Sequence, residues 1–553
     1  MHARPEHMIN FETHPDRYRH WRLNVTDHIA TLTMDVDENA GLTGDYLLKL
    51  NSYDLSVDIE LADAIQRLRF EHPEVTSVVV DSGKDKVFCA GANIRMLAAA
   101  SHEHKVNFCK FTNETRNSIE DAGRHSDQHY IAAIKGACAG GGYELALACE
   151  KIILVDDGAA SVALPEVPLL AVLPGTGGLT RLTDKRRVRR DRADVFCCIE
   201  EGIKGQKAAD WNLVDAIAPA SRFEETVNDV AAGFSGAAPK ANAGEGVPLN
   251  PLNKTIDGDH VRYGFLELSI DREESVATLM LSGPDSSAPD DSASAIQHGD
   301  GYWFLQLARE IDDALLHLRF NETEIGVLCL RSRGDPGRVL EFEELQNNDD
   351  DWFISEVNLL WTRVLKRLDL TSRSLVALIE PNSCFAGTLF ELVLACDRSY
   401  MTEGEFEDFD NAESAITLCD SNFGRYPMCN GLSRLQTRFY GSPDHVEMLP
   451  RNVELNADDA FENGLVTEIF DDIDWEDEIR LVLEERASFS ADAMTAMEAN
   501  LRFPGPETME TRIFARLTAW QNWVFQRSNA VGEDGALQRY GSGQRPIFDQ
   551  TRV

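Results

Sequence analysis

The chain repeats itself: short segments of its first half recur, in the same order, in its second half. The run IATLTM at 29–34 returns as VATLML at 276–281, and ELALAC at 144–149 returns as ELVLAC at 391–396, both shifted by 247 residues. Two further pairs are LRF at 68–70 and 318–320, and PGTGGLTRL at 174–182 with PMCNGLSRL at 427–435. Ordered matches at a nearly constant shift indicate a duplication, so the chain is predicted to contain one fold twice.

Each copy alternates two kinds of apolar pattern. β-branched runs such as Ser77–Val80 alternate with helix-period segments such as Ile59–Arg69, which is typical of α/β folds. Helical patterns at 476–487, 491–501 and 508–526 have no equivalent after the first copy, and we expect them to dock on both copies or on a partner subunit. The predicted parts are a first core at 1–230, a linker rich in Ala, Gly, Pro and Asn at 231–260, a second core at 261–475, and a C-terminal helical region at 476–553.

Acidic residues dominate the composition. The 553 residues carry 53 Lys and Arg against 93 Asp and Glu, which gives a formal net charge of −40. Such a chain repels phosphate backbones and anionic lipid, so both nucleic-acid binding and membrane binding are disfavoured. The sequence contains no run of about 18 apolar residues and no apolar signal-peptide core at its start. A cytoplasmic location is therefore expected.

Residues that bind metals or exchange disulfides are sparse. The eleven cysteines are an odd number and include no C-x-x-C pair, so reduced thiols are expected rather than a disulfide scaffold or a zinc site. His102, His104, His125 and His129 lack a third ligand at a recognisable spacing, which favours their interpretation as surface histidines. We predict neither a metal nor a redox cofactor.

Two small-residue turns in the first copy stand where a strand-like run meets a helix-like run. One is VFCAGAN at 87–93, and the other is KGACAGGG at 135–142. The first N–H groups of a helix have no intrahelical acceptor, so the two turns could aim two backbone donors at one oxygen and form an oxyanion hole. Close packing of two elements explains a glycine run equally well. Nucleotide binding is disfavoured, since no G-x-G-x-x-G motif and no Walker lysine occurs.

Two glutamates adjoin these turns. Glu144 falls in the first turn of the helix that follows the three glycines at 140–142, and Glu166 lies in ALPEVP, shortly before PGTGG at 174–178. A pair of carboxyl groups can hold one water, one group taking its proton while the other donates a proton to the substrate. In so acidic a chain, either glutamate taken alone would be interpreted as a surface acid.

The motifs FCAGANI at 88–94, KGACAGGGYELALAC at 135–149 and LPEV at 164–167 resemble the crotonase (enoyl-CoA hydratase/isomerase) superfamily in order and spacing. The resemblance implies an acyl-CoA substrate and an α/β fold of two fused crotonase-like cores, built from ββα repeats, with a C-terminal helical region. It also implies that the backbone N–H groups of Ala92 and Gly141 form the oxyanion hole and that Glu144 and Glu166 are catalytic. Asn93 replaces an aspartate that is common in the family.

The same resemblance implies a site for CoA and a pocket for the acyl group. Six cations stand among the eight residues of KRRVRRDR at 185–192, where they could bind CoA phosphates in bidentate fashion. A solvated helix face or a subunit interface explains this basic segment as well. The CoA-binding candidates are Ala90, Lys185, Arg186, Arg189 and Arg190, and the pocket candidates, which adjoin the motifs, are Tyr143, Phe88 and Met96.

The second copy lacks most of these candidate site residues. Gly387-Thr388-Leu389 stands where the first copy has its three glycines, Cys419 stands where it has Glu166, and Glu391 matches Glu144. We therefore assign catalysis to the first copy and a structural or dimer-forming role to the second. A separate function for the second copy is the alternative.

The fused length, the first site and the helical tail resemble one branch of the superfamily, whose members open the oxidised ring of a benzoyl-CoA thioester with water and release formate. This implies a lyase with water as co-substrate, acting as a homo-oligomer in which a dimer is favoured. The alternatives are an enoyl-CoA hydratase acting on a linear chain, a CoA-thioester hydrolase, and a non-catalytic acyl-CoA-binding protein.

Overall fold

A computed structural model of the chain describes residues 8–234, 246–348, 350–404 and 412–553. The chain forms two compact units. One is Phe11–Pro251, and the other is Leu252–Val553 together with the described residues before Phe11. Each unit contains one of the two sequence copies.

Among its described residues, the first unit contains a six-stranded sheet in the order β1-β2-β4-β7-β9-β11, whose strands are bounded below. The first pair is antiparallel and the others are parallel. The strands are β1 Trp21–Thr26, β2 Ile29–Met34, β3 Ser52–Tyr53, β4 Ser77–Ser82, β5 Val87–Cys89, β6 Gly91–Ala92, β7 His129–Ile134, β8 Ala137–Ala139, β9 Lys151–Asp156, β10 Ser161–Ala163 and β11 Ala216–Pro219.

The sequence pattern accounts for these strands. β2 alternates buried and half-buried residues, as a strand with one covered face should, whereas four consecutive residues of β4 and of β9 are buried, as in parallel strands covered on both faces. The helices are α1 Leu55–Glu71, α2 Ile94–Ala99, α3 His102–His125, α4 Gly141–Ala148, α5 Glu166–Leu170, α6 Gly178–Thr180, α7 Arg190–Cys197, α8 Gly205–Asp210 and α9 Phe223–Phe234, with a π-helical turn at Arg181–Lys185 and 3₁₀ turns at Pro15–Arg17, Lys49–Asn51 and Ala220–Arg222.

Two smaller sheets of the first unit carry the predicted turns. β5 and β10 flank β8 in a parallel sheet, and β3 pairs with β6. β6 leads directly into α2, whose N-cap Asn93 accepts the Met96 N–H at 3.0 Å. β8 leads through Gly140 into α4. Both turns thus connect a strand to a helix, as the sequence predicts.

Within the described residues of the second unit, an eight-stranded sheet contains the series β14-β15-β16-β17-β18-β21. Its pairings run antiparallel and then parallel, as in the first sheet, which confirms the predicted duplication and fold class. The strands are β12 Thr255–Asp257, β13 His260–Arg262, β14 Leu266–Asp271, β15 Val276–Ser282, β16 Val327–Arg333, β17 Ser374–Ile379, β18 Arg398–Glu403, β19 Ile416–Thr417, β20 Glu454–Leu455 and β21 Glu468–Asp471.

Helices make up most of the rest of the second unit. They are α10 Ser292–Gln297, α11 Trp303–Asn321, α12 Pro336–Gln346, α13 Trp352–Asp369, α14 Thr388–Leu394, α15 Arg434–Arg438, α16 Pro443–Met448, α17 Ala457–Glu462, α18 Trp475–Ser488, α19 Ala491–Leu501, α20 Met509–Thr511, α21 Thr518–Val524, α22 Ser528–Val531 and α23 Ala536–Arg539. A π-helical turn spans Arg512–Leu517, and 3₁₀ turns span Gly299–Gly301 and Asp420–Phe423.

The C-terminal helices appear where their apolar periodicity predicts them. α18 packs on the second sheet, where Trp475 and Ile479 join a buried cluster with Val327, Val376 and Leu378. The first of these helices therefore completes the core of the second unit. Leu501, Met509 and Phe514 of the following segment are exposed.

The linker predicted at 231–260 is only partly described, since 235–245 lie outside the described residues. Its beginning belongs to α9, where the Ala231 carbonyl accepts the Ser77 hydroxyl at 2.8 Å. Its later part is also ordered: the Val247 N–H donates to the Phe70 carbonyl at 2.7 Å, and the Leu249 N–H to Glu71 at 2.8 Å. The backbone N–H groups of this part of the predicted linker are thus satisfied, and its Val247 and Leu249 side chains are buried.

Two further features concern binding partners. In the described part of the chain, no helix is long and apolar enough to cross a membrane. Nor do the described residues include a group of three or more His, Cys, Asp or Glu side chains that could hold a metal ion. The eleven cysteines are free thiols, and most of them are buried.

Candidate active site

The two predicted turns lie side by side in the first unit. β5 and β8 pair in parallel, with Cys89 opposite Cys138, so the segments that leave them are neighbours. Gly91 has a φ of +88°, and a methyl group built on its Cα would lie 2.8 Å from the backbone nitrogen of Gly141. Glycine is required here, because any other residue would be strained and would collide with that nitrogen.

The backbone directions suit a site with two N–H donors. Gly141 is the first residue of α4 and follows Gly140, whose φ is +54°, so the Gly141 N–H has no acceptor within the helix. The Asn93 N–H donates to the Tyr53 carbonyl of β3 at 2.8 Å. Successive amides of an extended strand point to opposite sides, and the Ala92 N–H accordingly points away from β3. This arrangement can present both N–H groups to one ligand oxygen.

Glu144 is held firmly by donors from the loop before α6. The backbone N–H groups of Thr176 and Gly178 donate to its Oε1 at 2.9 and 2.8 Å, and the Thr176 hydroxyl donates to its Oε2. The Glu144 side chain is 3% exposed. Because all three partners are donors, both oxygens of Glu144 act as acceptors, and the carboxylate is fixed beside the N-terminus of α4.

Glu166 faces the same helix end but is held less tightly. A methyl group built on Gly140 would lie 3.0 Å from its Oε1, and its buried Oε2 has no hydrogen-bond partner among the described residues. Burial, followed by the negative charge of Glu144, raises the pKa of Glu166 to about 7. Two neighbouring carboxyl groups with such different surroundings are typical of an acid and base pair.

The corresponding place in the second core is filled by the chain itself. The N–H of Thr388, which replaces Gly141, donates to Oε1 of Glu343 at 2.5 Å. Glu343 belongs to α12 and is 3% exposed. A glutamate side chain of the chain itself therefore accepts the N–H that corresponds to the Gly141 N–H of the first core.

Glu391 of the second core, the counterpart of Glu144, is likewise held by side chains of the chain itself. It accepts hydrogen bonds from Asn422 at 2.9 Å and from Arg434 at 3.1 Å. Arg434 also forms an ion pair with Asp369 at 2.7 Å, and all of these side chains are buried. At this place the second core contains a network of internal ion pairs and hydrogen bonds.

Comparison with known proteins places the chain in a family. A benzoyl-CoA-dihydrodiol lyase of Aromatoleum evansii is 51% identical over 549 residues, which cover 99% of this chain and 98% of that protein. The chain belongs to the benzoyl-CoA-dihydrodiol lyase family. Residues 48–243 match the enoyl-CoA hydratase/isomerase family, so the chain is a lyase of the crotonase superfamily, as the motifs predict.

Other relatives match a smaller share of the chain. The fatty acid oxidation complex subunit alpha of Shewanella loihica is 31% identical over 241 residues, which are 43% of this chain and 31% of that protein. A solved enoyl-CoA hydratase structure from Geobacillus kaustophilus is 33% identical, covers 40% of this chain and 77% of that one, and has a TM-score of 0.36. Another, from Bacillus anthracis, is 27% identical, with coverages of 40% and 78% and a TM-score of 0.35.

In this member of the benzoyl-CoA-dihydrodiol lyase family, the three pocket candidates are all buried, Phe88 and Tyr143 completely. The Tyr143 hydroxyl donates to the Leu213 carbonyl at 2.7 Å, and its ring meets Phe196 edge-on. Tyr143 is therefore engaged in packing behind α4. Met96 lies in α2, and Phe88 lies in β5 just before the first turn.

Some cations of the basic segment at 185–192 form ion pairs or hydrogen bonds with the rest of the first unit, and others are exposed. Lys185 donates to Glu120 at 2.8 Å and to the Ala148 carbonyl at 2.7 Å, while Arg186 forms an ion pair with Asp215 at 2.8 Å. Arg189 is exposed and pairs with its neighbour Asp191. Arg187 and Arg190 are exposed as well. Ala90, the remaining CoA-binding candidate, is exposed between β5 and β6.

Sequence patterns did not identify three residues that shape the site. Thr176 and Gly178 hold Glu144, but nothing in the PGTGG motif that contains them indicates this role. Tyr53 lies in β3, directly opposite Ala92. No local pattern marks this tyrosine, because the residues that it touches are distant in sequence.

Proposed function

We propose that the protein opens the ring of 2,3-epoxybenzoyl-CoA with two molecules of water, giving 3,4-didehydroadipyl-CoA semialdehyde and formate. The observation that carries the proposal is the pair Glu144 and Glu166 at the N-terminus of α4, beside two backbone donors. The similarity to a benzoyl-CoA-dihydrodiol lyase, which extends over 98% of that protein, supports this choice of substrate.

The two backbone donors activate the thioester. Hydrogen bonds from the N–H groups of Ala92 and Gly141 polarise its carbonyl and so withdraw electrons from the attached ring. Donors fixed in place before the reaction stabilise the negative charge that develops on this oxygen, and each such donor typically contributes about 3 kcal/mol to transition-state stabilisation. The activated ring is thereby prepared for attack by water.

The two glutamates divide the proton transfers. Glu166 carries a proton near neutral pH, because burial and the nearby Glu144 raise its pKa to about 7, and it donates that proton to the epoxide oxygen as the C–O bond breaks. Glu144, held by Thr176 and Gly178, orients the attacking water and receives its proton. With their protonation reversed, Glu166 takes up a proton from the second water as that water adds to the ring carbon that becomes formate. Glu144 returns its proton to the α-carbon of the thioester, which keeps the electron pair when the C–C bond to the formate carbon breaks.

The exposed part of the basic segment is the proposed site for CoA phosphates. Arg187 and Arg190 are exposed, as is Arg189 beside Asp191, whereas Lys185 and Arg186 are partly buried and bind Glu120 and Asp215. A cytoplasmic homodimer is also proposed: the free thiols support the location, and the exposed Leu501, Met509 and Phe514 support a subunit interface. Light scattering of the purified protein measures the number of subunits.

The test of the reaction uses 2,3-epoxybenzoyl-CoA in parallel with crotonyl-CoA. We expect one formate for each epoxybenzoyl-CoA consumed, and ¹⁸O from labelled water in the products. Hydration of crotonyl-CoA without formate release from the epoxide would indicate a linear-chain hydratase. Release of free CoA without ring opening would indicate a thioester hydrolase, and unchanged substrate would indicate a binding protein.

The pH dependence follows from the acid role of Glu166. Its pKa of about 7 lies above the ordinary value for glutamate, so the proton is present below pH 7 and is lost as the pH rises. We expect kcat/KM for formate release to fall about tenfold for each pH unit above 7. A profile measured from pH 5.5 to 9 checks this, and a rate that rises through pH 7 would show that Glu166 acts first as a base.

A further inference from the structure

Tyr53 connects the two backbone donors of the site. Its main chain belongs to β3, which pairs with β6 so that Tyr53 stands opposite Ala92. Its carbonyl accepts the Asn93 N–H at 2.8 Å, which fixes the direction of the neighbouring Ala92 amide. Its side chain extends to the other donor, since a methyl group built on Gly141 would overlap the Tyr53 hydroxyl oxygen. One residue thus contacts both turns.

The Tyr53 hydroxyl has no hydrogen-bond partner among the described residues, although the residue is only 2% exposed. Burial of a hydroxyl without a partner costs free energy, so such groups in native proteins call for an explanation. Desolvation by burial raises the pKa of Tyr53 well above 10. The phenol therefore keeps its proton at any physiological pH and is available as a donor.

The direction of the hydroxyl indicates what it can bind. Every Cα–Cβ bond of a helix is tilted toward the helix N-terminus, so an oxygen in the β-carbon position of Gly141 lies toward the N-terminal end of α4. The free N–H groups of the helix point to that same end. Arg116 lies 5.3 Å above the Tyr53 ring and forms an ion pair with Asp58 at 2.9 Å. The positive charge of Arg116 favours hydrogen-bond donation by the phenol, and the negative charges of Asp58 and Glu144 act in the opposite direction.

We propose that Tyr53 is a third donor of the oxyanion site: when an acyl-CoA is bound, its hydroxyl donates a hydrogen bond to the thioester carbonyl oxygen that also faces Ala92 and Gly141. The assignment rests on the proposed function in that it requires an acyl-CoA thioester in this site. It also explains why position 141 is glycine, because a larger residue would displace the hydroxyl from the N-terminus of α4.

The test compares Tyr53→Phe with Tyr130→Phe. Tyr130 is equally buried, and its hydroxyl likewise lacks a partner among the described residues. It lies near the start of β7, where its carbonyl accepts the N–H of Glu150, a residue beyond the C-terminal end of α4. The probe is benzoyl-CoA labelled with ¹³C at the carbonyl, which binds but has no epoxide to open. We expect Tyr53→Phe to lose at least half of the downfield carbonyl shift seen on binding, and its kcat for formate release to fall 10- to 100-fold. Tyr130→Phe should leave both unchanged.

A role in packing alone would not alter the carbonyl shift. If Tyr53→Phe changes the melting temperature but leaves the shift and kcat at wild-type values, the assignment is wrong. Should Tyr53→Phe fail to fold, 3-fluorotyrosine at position 53 keeps the volume and makes a stronger donor, so the shift should increase; an unchanged shift would overturn the proposal. If the wild type releases no formate while the shift still depends on Tyr53, the proposed reaction fails and the assignment of Tyr53 stands.

Discussion

Replacement of either Glu144 or Glu166 by glutamine is expected to lower kcat for formate release by about 10³-fold, within the range by which general acid–base groups accelerate reactions. Glutamine keeps the shape of the side chain but can neither take up nor deliver the proton. At position 144 its amide group would also oppose one of the donors from Thr176 and Gly178. Steady-state kinetics with 2,3-epoxybenzoyl-CoA measure the loss, and circular dichroism checks that the variants are folded.

The matched control for this prediction is Glu150→Gln. Glu150 follows the opposite end of α4, where it pairs with His129 at 2.5 Å near the surface. This variant removes the same charge from the same part of the first unit, and its kcat should stay within twofold of the wild type. If Glu144→Gln and Glu166→Gln both kept near-normal formate release, the two-acid mechanism would be wrong.

The two glutamate variants should also differ from each other in their pH profiles. The fall in kcat/KM above pH 7 is ascribed to Glu166, whose pKa burial raises to about 7. The residual activity of Glu166→Gln should therefore lose this dependence, whereas that of Glu144→Gln should keep a fall with pH. The pH profiles thus distinguish the proton donor from the proton acceptor. The rates alone do not, because both variants are expected to lose activity.

The sequence predicted the fold because the fold depends on local pattern, and the candidate site residues were proposed from local motifs in the same way. The strands at 29–34 and 276–281 alternate buried and half-buried residues, and such a pattern can be recognised within six residues. Both turns contain glycines with positive φ, Gly91 in the first and Gly136 and Gly140 in the second. Glu144 and Glu166 were found through motifs that contain them, so their identification needed no knowledge of the packing around them.

Local patterns could not predict contacts between residues that are far apart in the sequence. Lys185 and Arg186 belong to a conspicuous basic segment, yet each forms an ion pair within the chain. Lys185 pairs with Glu120, 65 residues away in the sequence, and Arg186 pairs with Asp215, 29 residues away. Likewise, the alignment of the two copies shows that Thr388 replaces Gly141, but nothing in it shows that Glu343 covers the Thr388 amide. Ion pairs and buried hydrogen bonds depend on how the elements pack.

The second prediction of large effect concerns the stability of the second unit. Arg434→Met should lower the free energy of unfolding of that unit by about 3–5 kcal/mol, since removal of one partner of a buried ion pair leaves its charged partners uncompensated. Two buried carboxyl groups, Asp369 and Glu391, would lose the cation that they share. Tryptophan fluorescence during urea unfolding reports on this unit, because Trp303, Trp352, Trp361, Trp475, Trp520 and Trp523 lie in it, against Trp21 and Trp211 in the first.

The control is Arg451→Met, which removes an arginine from an exposed pair in the same unit. Arg451 binds Asp420 at 2.6 Å, but both side chains are about half exposed or more, and an exposed pair contributes at most about 1 kcal/mol. The turnover per folded molecule should be unchanged in both variants, because Glu144 and Glu166, to which we ascribe the proton transfers, belong to the first unit. If Arg434→Met instead abolished turnover while the protein stayed folded, the network around Glu391 would be required for catalysis, and the assignment of the chemistry to the first core alone would be wrong.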